Sequence, residues 1–183
     1  MSGRKISASF SSSKWLTILI AGIIIFRFLY PPFSILTWDV FGYYLYLPAI
    51  FIHYDPALRD PVWLQQVLEQ YQPSSTLYQI YPLHDGGNVI KYSSGMALLN
   101  LPAFLIAHVI CLLTGIKADG FTTPYQFAWT ISGLLYTVAG LWVMRKVLLR
   151  FFNDTTTSML LVLLVAGTNY FQLTAFDGYI THN

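Results

Sequence analysis

The sequence predicts an all-α integral membrane protein with about three transmembrane helices, interfacial helices in a long outer loop, and a small β-hairpin. Three observations carry that expectation. Of the 183 residues, 55% are hydrophobic and only 10% are charged, whereas soluble domains carry about 25% charged residues. The charge deficit is concentrated in apolar runs close to the roughly 20 residues that a bilayer core requires. Basic residues flank those runs, as they do at cytoplasmic membrane boundaries.

The first run, residues 15–33, follows a tail of about 14 residues that contains Arg4, Lys5 and Lys14 and a serine-rich stretch. These cations place the N-terminus in the cytoplasm. From Trp15 to Leu36 the segment is too long for a signal-peptide core, and no small-x-small cleavage site follows it, so it reads as a retained anchor. Pro31-Pro32 ends it. Residues 40–52 are apolar, rich in tyrosine and interrupted by Pro48, which suits a helix lying at headgroup depth. A second surface helix over 61–71 has Asp60 as N-cap and Pro61 at its first position. Its Trp63, Leu64, Val67, Leu68 and Tyr71 share one face, opposite Gln65, Gln66 and Glu69. Residues 76–81 and 89–92 flank Asp85-Gly86-Gly87-Asn88 and read as a hairpin.

Residues 96–114 hold no formal charge and could cross a bilayer by length, yet they include Asn100, Pro102 and His108. The next run, 124–144, starts at Thr123-Pro124-Tyr125-Gln126, a capping box with proline in the first turn. A final run, 157–175, follows the start signal Asn153-Asp154-Thr155. Charge asymmetry decides between the two topologies. If 96–114 crossed, Arg145, Lys146 and Arg150 would face outward, against the positive-inside rule. The preferred arrangement therefore has spans at 15–33, 124–144 and 157–175, and an outer loop over 34–123 with surface helices at 40–52, 61–71 and 96–114. Residues 15–183 then form one membrane domain. The same arrangement puts the glycosylation-type triplet Asn153-Asp154-Thr155 inside, where it would not be used.

Composition also excludes some functions. A net charge of +2 with no basic stripe does not suit nucleic acid. The single cysteine, Cys111, rules out an intrachain disulfide. His53, His84 and His108 have no metal-ligand spacing with carboxylates, no cofactor is predicted, and a divalent-metal requirement stays open. No phosphate-binding glycine loop, nucleophile elbow or HExxH motif occurs.

The candidate catalytic residue is Asp39, just past the outer end of the first run. A carboxylate there can take a proton from an incoming hydroxyl; the competing reading is a plain helix N-cap. Tyr43 and Tyr46 follow at helical spacing and would put phenols on the same face. Arg27, inside the first run, could bind a lipid phosphate or simply snorkel. Lys91, beside Tyr92, could act as a point charge on a phosphate or as an interfacial anchor. Asp177 and His182, past the last run, could complete an outer-face site with Asp39 or form a plain polar loop after a helix.

The stretches Thr37-Trp38-Asp39-Val40-Phe41-Gly42-Tyr43-Tyr44, Lys91-Tyr92-Ser93-Ser94-Gly95-Met96-Ala97-Leu98-Leu99 and Phe176-Asp177-Gly178-Tyr179 resemble elements of the membrane glycosyltransferases with the GT-C fold. The likeness is to the N-terminal part of the protein O-mannosyltransferases and the lipid A aminoarabinose transferases. It implies transfer of a sugar from a polyprenyl-phosphate donor to a lipid, glycan or protein acceptor, at the outer face of a bacterial inner membrane. It assigns the catalytic carboxylate to Asp39. Two departures stand out: Val40 replaces the glutamate that many relatives carry, and Ile90 replaces an acidic residue. A second carboxylate would have to come from Asp85 or Asp177, or be absent. The family's enzymes are much longer, so the resemblance implies that this chain is a fragment. The rival readings are a segment of a transporter or flippase and a non-catalytic membrane scaffold.

Overall fold

The computed structural model describes residues 14–29 and 35–175. The described chain is mostly helical, with one two-stranded sheet. Its elements are α1 (Lys14–Leu29), α2 (Trp38–Tyr44), α3 (Tyr46–Phe51), α4 (Pro61–Tyr71), β1 (Ile80–Pro82), β2 (Asn88–Ile90), α5 (Gly95–Thr114), α6 (Thr123–Leu148), α7 (Asp154–Gly167) and α8 (Tyr170–Ala175). Two of these, α5 and α6, are long and apolar enough to cross a membrane. The described residues divide into two compact units: residues 35–133, and residues 14–29 with 134–175.

In the first of these units, local signals in the sequence set the helix ends. Asp60 caps α4, its side chain accepting from the Val62 N–H at 2.9 Å, and Pro61 occupies the first turn. Trp63, Leu64 and Val67 are buried, whereas Gln65, Gln66 and Glu69 face outward. The surface helix expected over 40–52 is two short helices. Pro48 has no N–H to return to the Tyr44 carbonyl, which interrupts the ladder between α2 and α3. The hairpin is present but shorter than expected, pairing Ile80 with Ile90, Tyr81 with Val89 and Pro82 with Asn88.

The core of this unit is aromatic. The buried Tyr44 ring meets Phe104, Phe121 and Trp129 edge to face at 6.0, 5.6 and 5.5 Å. Its hydroxyl donates to the Gly120 carbonyl. Gly120 has φ +91, and a Cβ there would lie 2.9 Å from Pro48, so glycine is required on both counts. α5 buries Ala97, Asn100, Phe104, Ala107 and Cys111, a stripe at i, i+3 and i+4 spacing. Its opposite face is wholly apolar and open, with Leu98, Ile106, Val109, Leu112 and Leu113 exposed.

The capping box expected at the start of α6 does not form. The Gln126 amide donates to the Phe121 carbonyl at 3.2 Å, and its oxygen accepts from the Ile35 N–H at 3.3 Å. The turn before α6 is held instead by Asp119, whose Oδ1 accepts from the N–H groups of Phe121 and Thr122 at 2.9 and 3.2 Å. Its Oδ2 accepts from Tyr71 at 2.6 Å and pairs with Lys117 at 3.1 Å. Burial alone would raise the Asp119 carboxyl, but these donors hold it below its ordinary value.

In the second unit, α1 buries Leu16, Ile20, Ile23 and Arg27 along one stripe and packs against α7 and α8. Phe26 meets Phe171 edge to face at 5.3 Å. Asn153 caps α7 by accepting from the Thr156 N–H at 2.9 Å. The helix expected over 157–175 breaks at Thr168. That residue is extended, donates its hydroxyl to the Leu164 carbonyl and accepts from the Tyr170 N–H. The turn from α6 to α7 is closed by an ion pair between buried Arg145 and Asp154.

Neutralising that carboxylate weakens a charged hydrogen bond to a guanidinium that is only 4% exposed. Asp154→Asn should therefore lower stability by about 1–3 kcal/mol, read as a lower unfolding temperature in detergent. Asp85→Asn is the contrasting change. It breaks a pair whose partners are each 58% exposed and should leave that temperature unmoved within error.

Candidate functional site

Asp39 lies in the first turn of α2, but it is not the helix cap; that position belongs to Thr37. Its Oδ1 accepts hydrogen bonds from two phenols, Tyr78 at 2.7 Å and Tyr92 at a shorter separation. The hairpin register explains why these two meet. Ile80 faces Ile90, and the Lys91 N–H donates to the Gln79 carbonyl at 3.0 Å. Tyr78 lies just before, in the turn closed by the Ile80 N–H donating to the Leu77 carbonyl at 3.3 Å, and Tyr92 directly follows Lys91, so the two phenols flank the paired strands.

Burial raises both phenols above the ordinary value of 10.0, and the hydrogen bond to the Asp39 carboxylate raises them further. Both are therefore O–H donors throughout the physiological range, and Asp39 is their acceptor. Hydrogen bonds to a charged partner are the strong ones, each worth on the order of 1.5–3 kcal/mol.

The wall behind this triad is tightly built. Tyr43 packs edge to face on the Tyr92 ring at 4.5 Å. The Tyr46 hydroxyl donates to the Tyr92 carbonyl at 2.6 Å. Thus Tyr43 and Tyr46, expected to flank the carboxylate directly, hold Tyr92, while Tyr78 and Tyr92 supply the phenols at Oδ1. Gly42 makes room for this: a Cβ there would lie 2.4 Å from Tyr92 Cδ2. Lys91 is exposed, with its Nζ over the Tyr78 and Tyr92 rings at 4.4 and 5.2 Å.

Two further residues belong to the site that sequence reasoning missed. Tyr78 was legible only through the hairpin. Its symmetric partner about the Asp85-Gly86 turn is Tyr92, and that symmetry marks the pair. Gln79 left no signal in the sequence, because a glutamine in a small hairpin looks solvated. It is in fact wholly buried, donating to the Trp38 carbonyl at 3.1 Å, while its Oε1 accepts from the Ser74 hydroxyl at 3.4 Å.

Trp38 is the strained residue here. Its φ is +52, a region costly for a bulky side chain, on the order of 1–3 kcal/mol. Its N–H donates to the Pro73 carbonyl at 2.8 Å, and Gln79 holds its own carbonyl.

The remaining candidates lie elsewhere. Arg27 is in the last turn of α1 and only 1% exposed, so its guanidinium does not reach out to solvent. Asp85 sits at the hairpin turn and pairs with Arg59 at 2.6 Å, so it is already engaged. Asp177 and His182 lie outside the described residues. His53 stacks on Trp63 at 4.1 Å, and His108 Nδ1 meets the Tyr125 hydroxyl at 2.7 Å. Among the described residues, no three His, Cys, Asp or Glu side chains gather as metal ligands do.

Two measurements check this geometry. Gly42→Ala forces the Tyr92 ring aside and should cost about 1–3 kcal/mol of stability, seen as a lower unfolding temperature. Alkaline titration followed by phenolate absorbance should show Tyr78 and Tyr92 ionising above the ordinary value of 10.0. Because their folded-state values are raised, their contribution to stability is intact below pH 10.0 and is lost as pH climbs above it. Ionisation of every tyrosine together near that pH, with the fold intact, would contradict the arrangement. Comparison of this chain with protein-family models, with curated proteins and with solved structures finds no match.

Proposed function

We propose that this chain is part of a membrane glycosyltransferase that moves a sugar from a polyprenyl-phosphate donor to a lipid, glycan or protein acceptor. The transfer takes place at the non-cytoplasmic face of a bacterial cell membrane. The observation that carries the reading is a carboxylate oriented by two protonated phenols, with an exposed lysine beside it. That is what a glycosyl transfer from a lipid phosphate requires of a protein. Asp39 accepts the proton of the acceptor hydroxyl as its oxygen attacks the anomeric carbon. The bond from that carbon to the phosphate oxygen breaks, and the electron pair leaves with the phosphate. Lys91 offsets the charge that develops there.

The apolar helices support the membrane setting. Only 28% of the most apolar window of α5 is buried, and its exposed face is more apolar than its buried one. A core helix of a soluble protein shows the reverse. Contacts at the two ends of α5 favour a helix lying in the interface. The residue pair before it, Lys91-Tyr92, meets α2 and the hairpin. The residues after it, Lys117 and Asp119, bond to Gln70 and Tyr71 of α4. A crossing helix would put these polar groups on opposite sides of the bilayer, and α2 to α4 contain no run able to carry the chain back. With α5 in the interface, α1, α6 and the α7–α8 segment are the spans, and the site faces a donor whose phosphate rides at the headgroup plane.

The test is Asp39→Asn in the full-length protein, assayed with a labelled lipid-phosphate sugar in vesicles. Transfer should fall by about 10²–10⁴-fold with membrane insertion unchanged, while Asp85→Asn retains activity. Undiminished transfer by the Asp39 variant would leave a non-catalytic scaffold as the better account.

A further inference from the structure

Resting on the transferase reading above, we infer that Trp38 is the platform on which the donor sugar stacks, and so a residue that sets sugar specificity. Four observations point to it. Trp38 immediately precedes Asp39 in the first turn of α2. The side chain is 58% exposed, although the chain around it packs closely: Leu36 and Val40 are only 4% and 3% exposed. An indole is the largest apolar surface a protein can present, and leaving it open forfeits the burial that would otherwise stabilise it. The backbone is also held where a bulky residue rarely goes, at φ +52. Glycine would occupy that conformation at little cost.

The strained geometry is also clamped from both sides. The Trp38 N–H is tied to the Pro73 carbonyl at 2.8 Å, and its carbonyl is tied to Gln79 at 3.1 Å. Gln79 is completely buried and adjoins Tyr78, which supplies a phenol to Asp39. The Trp38 backbone and the Asp39 carboxylate are thus held by neighbouring residues of the turn before β1. Strain that the surrounding structure maintains is a mark of function rather than of folding.

The chemistry fits a sugar. The face of an indole carries negative charge density, and the axial C–H groups of a pyranose ring form an electropositive, apolar surface of matching size. Stacking needs no hydrogen-bond partner from the indole, and it holds the ring flat while the hydroxyls stay wet. Lys91, whose Nζ lies over the two phenol rings, would meet the phosphate that the same donor carries.

The experiment uses the full-length protein in nanodiscs, labelled with 5-fluorotryptophan, the Trp38 resonance being identified by its loss in Trp38→Phe. Two probes are added separately: farnesyl phosphate bearing a hexose or pentose, as a panel, and farnesyl phosphate alone. The Trp38 signal should move with at least one sugar-bearing probe and stay still with the bare phosphate. Equal movement with both would mean that the indole meets lipid, and no movement with any would mean that it meets neither; each overturns the platform.

Kinetics supply the second arm. Trp38→Leu and Trp38→Gly should raise KM for the donor about tenfold with kcat within about twofold, and Trp38→Phe should restore most of the loss. Trp38→Gly should unfold no earlier than the parent, since it relieves the strain, so its KM defect cannot be assigned to misfolding. An unchanged KM in both variants overturns the proposal. The two readings fail separately. A sugar-dependent shift without any transfer removes the transferase and keeps the platform. Normal transfer with no shift and no change in KM removes the platform and keeps the transferase.

Discussion

One oxygen organises the unit that holds the site. Asp39 Oδ1 accepts from the phenols of Tyr78 and Tyr92, which lie on either side of the hairpin. Through that one acceptor the start of α2 is fixed to both strands at once. Taking a carboxylate partly out of water is costly unless strong donors replace the lost solvent, and two phenols held protonated by burial do so. The pairing in turn constrains its neighbours. Gly42 must lack a side chain, Tyr46 must reach the Tyr92 carbonyl, and Gln79 must be buried to hold the backbone of Trp38.

The surroundings of this polar knot are unusually apolar for a packing of short helices. α2, α3 and α5 come together over small or aromatic residues, with Ala97 and Ala107 buried at 3% and 1% and Tyr44 wedged among three rings. Small residues let helix backbones approach closely, and the rings fill what remains. On the far side of α5 the leucines and isoleucines face outward. By length and composition that helix could cross a membrane. The polar knot and the exposed apolar face of α5 belong to the same unit.

Strain and polarity coincide at the same place. Trp38 has positive φ and exposes its indole, the next residue carries the carboxylate, and the clamps on both come from residues 73–92. At Gln72 positive φ has a structural reason, since it ends α4 in the left-handed conformation. At Trp38 the fold maintains an unfavourable backbone and an unburied aromatic together.

The sequence by itself determined what depends on neighbours along the chain. The Asp60-Pro61 start of α4, the Asn153 cap of α7, the apolar lengths of α5 and α6, and the turn at Asp85-Gly86 are all local, since caps, propensities and periods act within a few residues. Asp39 was also legible as a residue that must find partners, because a carboxylate at the end of an apolar run is costly unless it is used or paired. Only the tertiary structure decided which phenols serve it. Helical spacing favoured Tyr43 and Tyr46, but the oxygens that arrive are those of Tyr78 and Tyr92, brought across 39 and 53 residues by the register of a three-residue ladder. It likewise decided that Gln126 bonds Phe121 and Ile35 rather than capping its own helix, and that Gln79 is interior. Side chains with several donors and acceptors take whichever partners the packed chain brings nearest, and that proximity is set by contacts distant in sequence.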